Sequence, residues 1–138
     1  MLPDFVPLSV IVIVLVVLAY FFMASIPFLF VRLDIPEVSR LFRGLFNVHF
    51  RIVGIIGLVA AAAFALSWRF GFAVPMLLVA LAAIAGRTRV IEGIDTQQNA
   101  WQAGDKAAMR RLRLIHWGVM LVNFLVLAAV ARSLSFIV

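Results

Sequence analysis

The 138-residue chain predicts an all-α integral membrane protein, a four-helix bundle with helical extensions on the cytoplasmic side. Three observations predict it. First, 66% of the residues are hydrophobic, only 13% are charged, and the mean hydropathy is +1.18. A water-soluble domain keeps roughly a quarter of its residues charged, so most of this surface is expected to meet lipid. Second, four apolar segments punctuate the chain. Third, if the spans alternate, ten of the twelve basic residues fall on one side, leaving only Arg69 and Arg132 opposite. The positive-inside rule then places both termini outside and the two long connections in the cytoplasm of a bacterial-type inner membrane.

The whole chain, 1–138, is read as one transmembrane domain with spans at about 5–31, 52–68, 70–86 and 114–131. The first span begins after Asp4 and lacks the basic flank and small-residue cleavage site of a signal peptide, so it is expected to be retained. It is long enough to cross roughly 30 Å of hydrocarbon with some tilt. The next three are short for a span, and snorkelling arginines at their ends would compensate. Helices are required, because an open sheet leaves backbone groups unpaired in lipid.

The connections also read as helical. "DIPEVSRLFRG" offers Asp34 as an N-cap, Pro36 in the first turn and Glu37 as the return arm of a capping box. The third helix is expected to run on past Arg87 until Gly104 ends it. Asp105 then opens the fourth helix, and the turn on the opposite side is placed at Arg69–Gly71. Small residues, Gly57, Ala61 and Ala65 on the second span and Ala82, Ala83 and Gly86 on the third, suit close helix packing or oligomerisation.

Polar residues in "RLFRGLFNVHFR" form a stripe. At 100° per residue Arg40, Arg43, Asn47 and Arg51 fall on one face, with His49 on the apolar face. On the third helix Thr88, Glu92, Asp95, Asn99 and Gln102 recur at spacings of three and four. The expectation is a cytoplasmic polar network of Arg43, Asn47, Arg51, Glu92, Asp95 and Asn99, structural or ligand-binding. On the fourth helix Met109, Leu112, His116, Met120 and Asn123 share a face. Asn123 is deep enough to need a partner, and Tyr20 lies at similar depth.

His49 and His116, on the second and fourth helices, are a possible ligand pair for haem iron or another metal. Two imidazoles do not complete a zinc or copper site, and no cysteine is present to help, so no cofactor is predicted outright. Phosphate loops, nucleophile elbows and H-E-x-x-H motifs are missing. The net charge of +6 flanks spans, so orientation rather than nucleic acid explains it.

"IPFLFVRLDIPEVSRLFRGLFNVHFRIVGIIG" and "RRLRLIHWGVMLVNFLVL" resemble the transmembrane-protein-205-like family of small four-helix membrane proteins. The similar features are P-x-L-F at Pro27–Phe30, LF-x-x-HF before the second span, and an arginine-flanked L-x-H followed by an asparagine. His116 and Asn123 match that pattern, and Val119 replaces the family's serine. The resemblance implies a four-helix bundle and no established reaction. The function expected is therefore a non-enzymatic accessory or assembly component, homo-oligomeric or part of a larger membrane complex. The alternatives are a binder or transporter of a small molecule or lipid, and a histidine-ligated redox protein.

Overall fold

A computed structural model describes residues 3–137. It contains helix α1 (Phe5–Ser25), a 3-10 turn (Ile26–Leu29), and helices α2 (Pro36–Leu66), α3 (Phe70–Gln102) and α4 (Ala108–Ile137). All four helices are long and apolar enough to cross a membrane. The chain is a multi-pass membrane protein built as an all-α four-helix bundle.

The α1 helix is apolar on every side, yet it buries Ile11, Val14, Leu18, Phe21 and Ser25, the three-then-four spacing of one helical face. The opposite face, including Val12, Val16 and Tyr20, is left for lipid. The α-helix stops short of the expected Val31, tightening into the 3-10 turn at Pro27. Proline has no N–H to donate and its ring crowds the carbonyl four residues back.

The expected cap of α2 is not the one used. Pro36 takes the first helical position and Ile35 becomes the N-cap, without a side-chain bond. Asp34 instead pairs with Arg32 at 2.7 Å, and that hydrogen-bonded guanidinium holds its carboxyl below the usual range. The α2–α3 turn also differs from expectation: it is Ser67–Arg69, and Gly71 already lies within α3. Arg69 N–H reaches Phe64 O at 2.9 Å and Trp68 N–H reaches Ala65 O at 3.0 Å. This is the Schellman closure, with Trp68 at φ +60 in the place usually held by glycine.

At the far end α3 runs on to Gln102, as its unbroken sequence suggests, and Gly104 at φ +96 closes it. Asp105 caps the start of α4 by accepting the Ala107 N–H at 3.0 Å. Thirty-three residues make α3 about 50 Å long at 1.5 Å per residue, so it outruns the hydrocarbon.

The helices run alternately up and down. The chain ends meet the α2–α3 turn, where Arg69 donates to the Ile137 carbonyl at 3.3 Å and approaches Asp4 at 3.6 Å. At the opposite end Arg113 of α4 donates to the carbonyls of Phe28 and Val31. Both arginine clamps escaped the sequence reading, because their acceptors are backbone or lie at the far end of the chain.

Two clusters fill the interior. One, around Phe64, Ala60 and Met76, serves the end bearing the termini. The other packs Phe21, Phe42, Phe46, Ile94 and Leu112 towards the basic end. In lipid such burial stabilises through close packing, since hydrocarbon offers no drive to hide apolar surface.

Candidate functional site

The polar stripe of α2 meets α3 along an antiparallel seam. Gly57 packs on Ala80, Gly54 on Ile84, Asn47 on Arg87, Arg43 on Asp95 and Ser39 on Gln98. Arg43 and Asp95 form a two-pronged bridge of 2.7 and 3.1 Å, and Arg87 donates to Asn47 Oδ1 at 2.8 Å. The seam therefore brings together Arg43, Asn47 and Asp95. Glu92, Asn99 and Arg51 are exposed, and their side chains bond to no described residue. The stripe that meets α2 is turned from the Thr88–Glu92–Asn99 line towards Arg87, Asp95 and Gln98, all half-buried. Arg43 and Asp95 are each 42% exposed, so their bridge is worth at most about 1 kcal/mol.

A shallow concavity of about 540 Å3 opens at this basic end, among Leu33, Arg40, Arg43, Gln98 and Trp101. Of its two lining arginines Arg43 is paired to Asp95, its aspartate Asp34 is paired to Arg32, and Arg40 has no side-chain partner among the described residues.

The stronger site lies deeper. A groove of about 460 Å3 runs between α3 and α4, with α2 and Leu18 of α1 closing its floor. Ala82, Gly86 and Gly118 keep the two helices from filling it, and a Cβ on Gly118 would meet nothing within 4 Å. Leu78 and Val122 on its rim are about 60% exposed, so the groove opens sideways towards lipid. Only His49 and Asn123 among its lining residues are polar.

Asn123 is 5% exposed and donates its amide to the Leu18 carbonyl at 3.1 Å. The expected partner, Tyr20, is 70% exposed and points to lipid, because it sits two residues, or about 200°, around α1 from Leu18. A carbonyl can only accept, so the amide nitrogen must face Leu18 and Oδ1 must face away. Oδ1 is buried and has no partner among the described residues. Beside it, His49 is 8% exposed and stacks flat on Phe21, with ring centres 3.7 Å apart and 16° between planes. Stacking uses a face of the imidazole, and its edge lies within hydrogen-bonding reach of the Asn123 side chain.

His116 is placed differently. It is fully buried against Phe42 and Phe46, with ring centres at 5.1 and 5.7 Å, and lies beside the backbone of Ser25. No group of three or more His, Asp or Glu side chains that could hold a metal ion occurs among the described residues. His49 thus lies between phenylalanine and the Asn123 amide, and His116 between phenylalanines and the Ser25 backbone.

The sequence singled out His49 and Asn123 separately, but it did not bring them together. Nor did it reveal the groove: Ala82, Gly86 and Gly118 read as packing residues, and nothing in a spacing distinguishes small residues that touch from small residues that leave room. Comparison with protein-family models, with curated proteins and with solved structures finds no match, so the site is read from its own residues.

Proposed function

We propose that this chain is a non-enzymatic membrane protein that holds a lipid-soluble small molecule in the groove between α3 and α4. The observation that carries the reading is the groove itself: about 460 Å3, open to the bilayer, apolar throughout except for two buried polar side chains at its floor. Small-molecule sites typically have volumes of roughly 300–1,000 Å3, apolar walls and a few convergent polar groups. A partner helix, about 10 Å across with its side chains, would need a longer and wider trough. The small residues that suggested oligomerisation give that reading less support, because Gly57 already packs against Ala80 within the bundle.

Orientation belongs to the same reading. Ten of the twelve basic residues cluster at the end away from the chain termini, which supports an inner-membrane protein with both termini outside the cytoplasm. The groove then extends from mid-bilayer towards the cytoplasmic boundary, and its occupant enters sideways from lipid. The resemblance to the transmembrane-protein-205-like family is compatible with such a role and prescribes no chemistry for it.

Gly118→Leu tests the proposal cleanly. Leucine favours the helix over glycine by roughly 0.5–1 kcal/mol, and its side chain has open space to fill. In vesicles, an uncharged aliphatic diazirine probe is expected to label α3 and α4 residues around Ala82 and Val122 in the wild type. That labelling should fall several-fold in the variant. Equal labelling of both proteins would contradict the proposal.

A further inference from the structure

Away from the groove, the lipid-facing edge of the α2–α3 seam gathers hydrogen-bond donors that no carboxylate answers. Arg51 lies on α2 between Asn47 and Gly54, whose contacts on α3 are Arg87 and Ile84, so it stands level with Arg87. Arg51 is exposed and its side chain bonds to no described residue. Arg87 spends only its Nε–H on Asn47 Oδ1, which leaves its terminal nitrogens and the Asn47 amide nitrogen without described partners. None of the six acids of the chain neutralises the pair. Asp34, Asp95 and Asp105 are bridged to Arg32, Arg43 and Arg111, and Asp4 lies at the other end of the bundle. Glu37 is about 20 Å further along α2, and Glu92 is turned about 140° around α3 from Arg87.

Depth identifies what meets these donors. Measured from the α2–α3 turn at 1.5 Å per residue, Arg51 lies about 22 Å along α2 and Arg87 about 25 Å along α3. Hydrocarbon is roughly 30 Å thick, so both stems start just inside its far boundary. Side chains lean towards the N-terminus of their own helix, which carries Arg51 outwards to the basic end, and Arg87 is held at Asn47 on that same side. Nearer mid-bilayer the seam is flanked by exposed Ile55, Leu58, Leu81 and Ile84, a surface on which an acyl chain can lie. We infer that this edge binds an anionic phospholipid of the basic-end leaflet, its phosphate between Arg51 and Arg87 with the Asn47 amide as a third donor. Guanidinium forks match the paired oxygens of a phosphate. A zwitterionic lipid would bring its ammonium up against two like charges, so net negative charge is selected. The inference is independent of the groove between α3 and α4, and it gives a role to an arginine that no contact within the bundle explains.

The test gives the full-length protein, purified in mild detergent, equal amounts of phosphatidylglycerol and phosphatidylcholine with identical acyl chains. Native mass spectrometry then counts each lipid retained. An arginine beside an anionic lipid surface is worth a factor of about five. The wild type is therefore expected to retain phosphatidylglycerol at least about fivefold over phosphatidylcholine, and Arg51→Gln should lower that preference about fivefold. Arg51 is exposed, so the substitution leaves the packing of the bundle alone. Arg89→Gln removes the same charge at nearly the same depth, but two residues, or about 200°, around α3 from Arg87, and should leave the preference in place. So should Gly118→Leu, which separates this site from the groove. Excess inorganic phosphate should not displace the lipid. A wild type without preference overturns the inference. So does an Arg89→Gln loss equal to that of Arg51→Gln, which would show diffuse charge rather than a site. Displacement by inorganic phosphate overturns the assignment to a lipid.

Discussion

Single residues separate what the bundle needs from what the site needs. Asn123 bonds to a backbone carbonyl that already belongs to a helix, and such interhelical bonds in membranes average only about 0.6 kcal/mol. Asn123→Leu is therefore expected to change unfolding free energy in detergent by less than about 1 kcal/mol. His116 gives the opposite contrast. Its ring is fully buried beside the Ser25 backbone, and removing one partner of a buried hydrogen bond costs about 1–3 kcal/mol. His116→Leu should therefore destabilise the protein by about that amount in thermal unfolding. Unchanged stability would show that the imidazole has no partner there. Both residues were prominent in the sequence as lone polar groups in apolar helices. Which of them faced a cavity was not readable there, because that depends on two other helices.

Elements were legible to unequal degrees. The length of α3 and its stop at Gly104 followed from an unbroken pattern and a glycine able to take φ +96. The α2–α3 turn was misplaced because tryptophan, not glycine, occupies the left-handed position at φ +60. Aromatic side chains favour membrane boundaries, and that preference coexists here with a strained backbone. The inward face of α1 could not be read at all, since a helix between protein and lipid is apolar all round. The α2–α3 seam provides a sharp test of packing. A Cβ on Gly57 would come within 2.9 Å of Ala80 Cβ and 3.2 Å of its Cα. Backbone cannot yield as a side chain does, so Gly57→Ala should destabilise the protein by about 1–3 kcal/mol in denaturant unfolding.

The α3–α4 junction should respond to acid. The Arg111 side chain and the Ala107 N–H hold Asp105 below its ordinary carboxyl range. A carboxyl lowered in the folded state contributes stability above its unfolded value, near pH 3.9, and loses it as pH falls through the lowered folded value. Hydrogen exchange at Ala107, corrected for intrinsic rates, is expected to stay protected at neutral pH. Protection should fade only below about pH 4, and Asp105→Asn should remove that pH dependence.

At the scale of the whole molecule, composition and charge asymmetry were sufficient for the architecture: four crossings, all helical, with the long connections together. They were insufficient for the site, which exists because α3 and α4 fail to close over α2. That failure is a property of tertiary packing, produced by Gly118 on one helix and Ala82 and Gly86 on another. The membrane setting makes it consequential. A cavity facing water would fill with water, whereas one opening between two lipid-facing helices can be entered only by molecules already dissolved in the bilayer. At the basic end Arg43 and Arg87 belong to the α2–α3 seam.

Native mass spectrometry from membrane-derived vesicles tests the central claim most directly, with wild type and Gly118→Leu compared side by side. The groove account predicts one neutral adduct of defined mass, near-stoichiometric on the wild type and absent from the variant. Identical spectra for the two proteins, or a wild type that carries no adduct while fully folded, would contradict it.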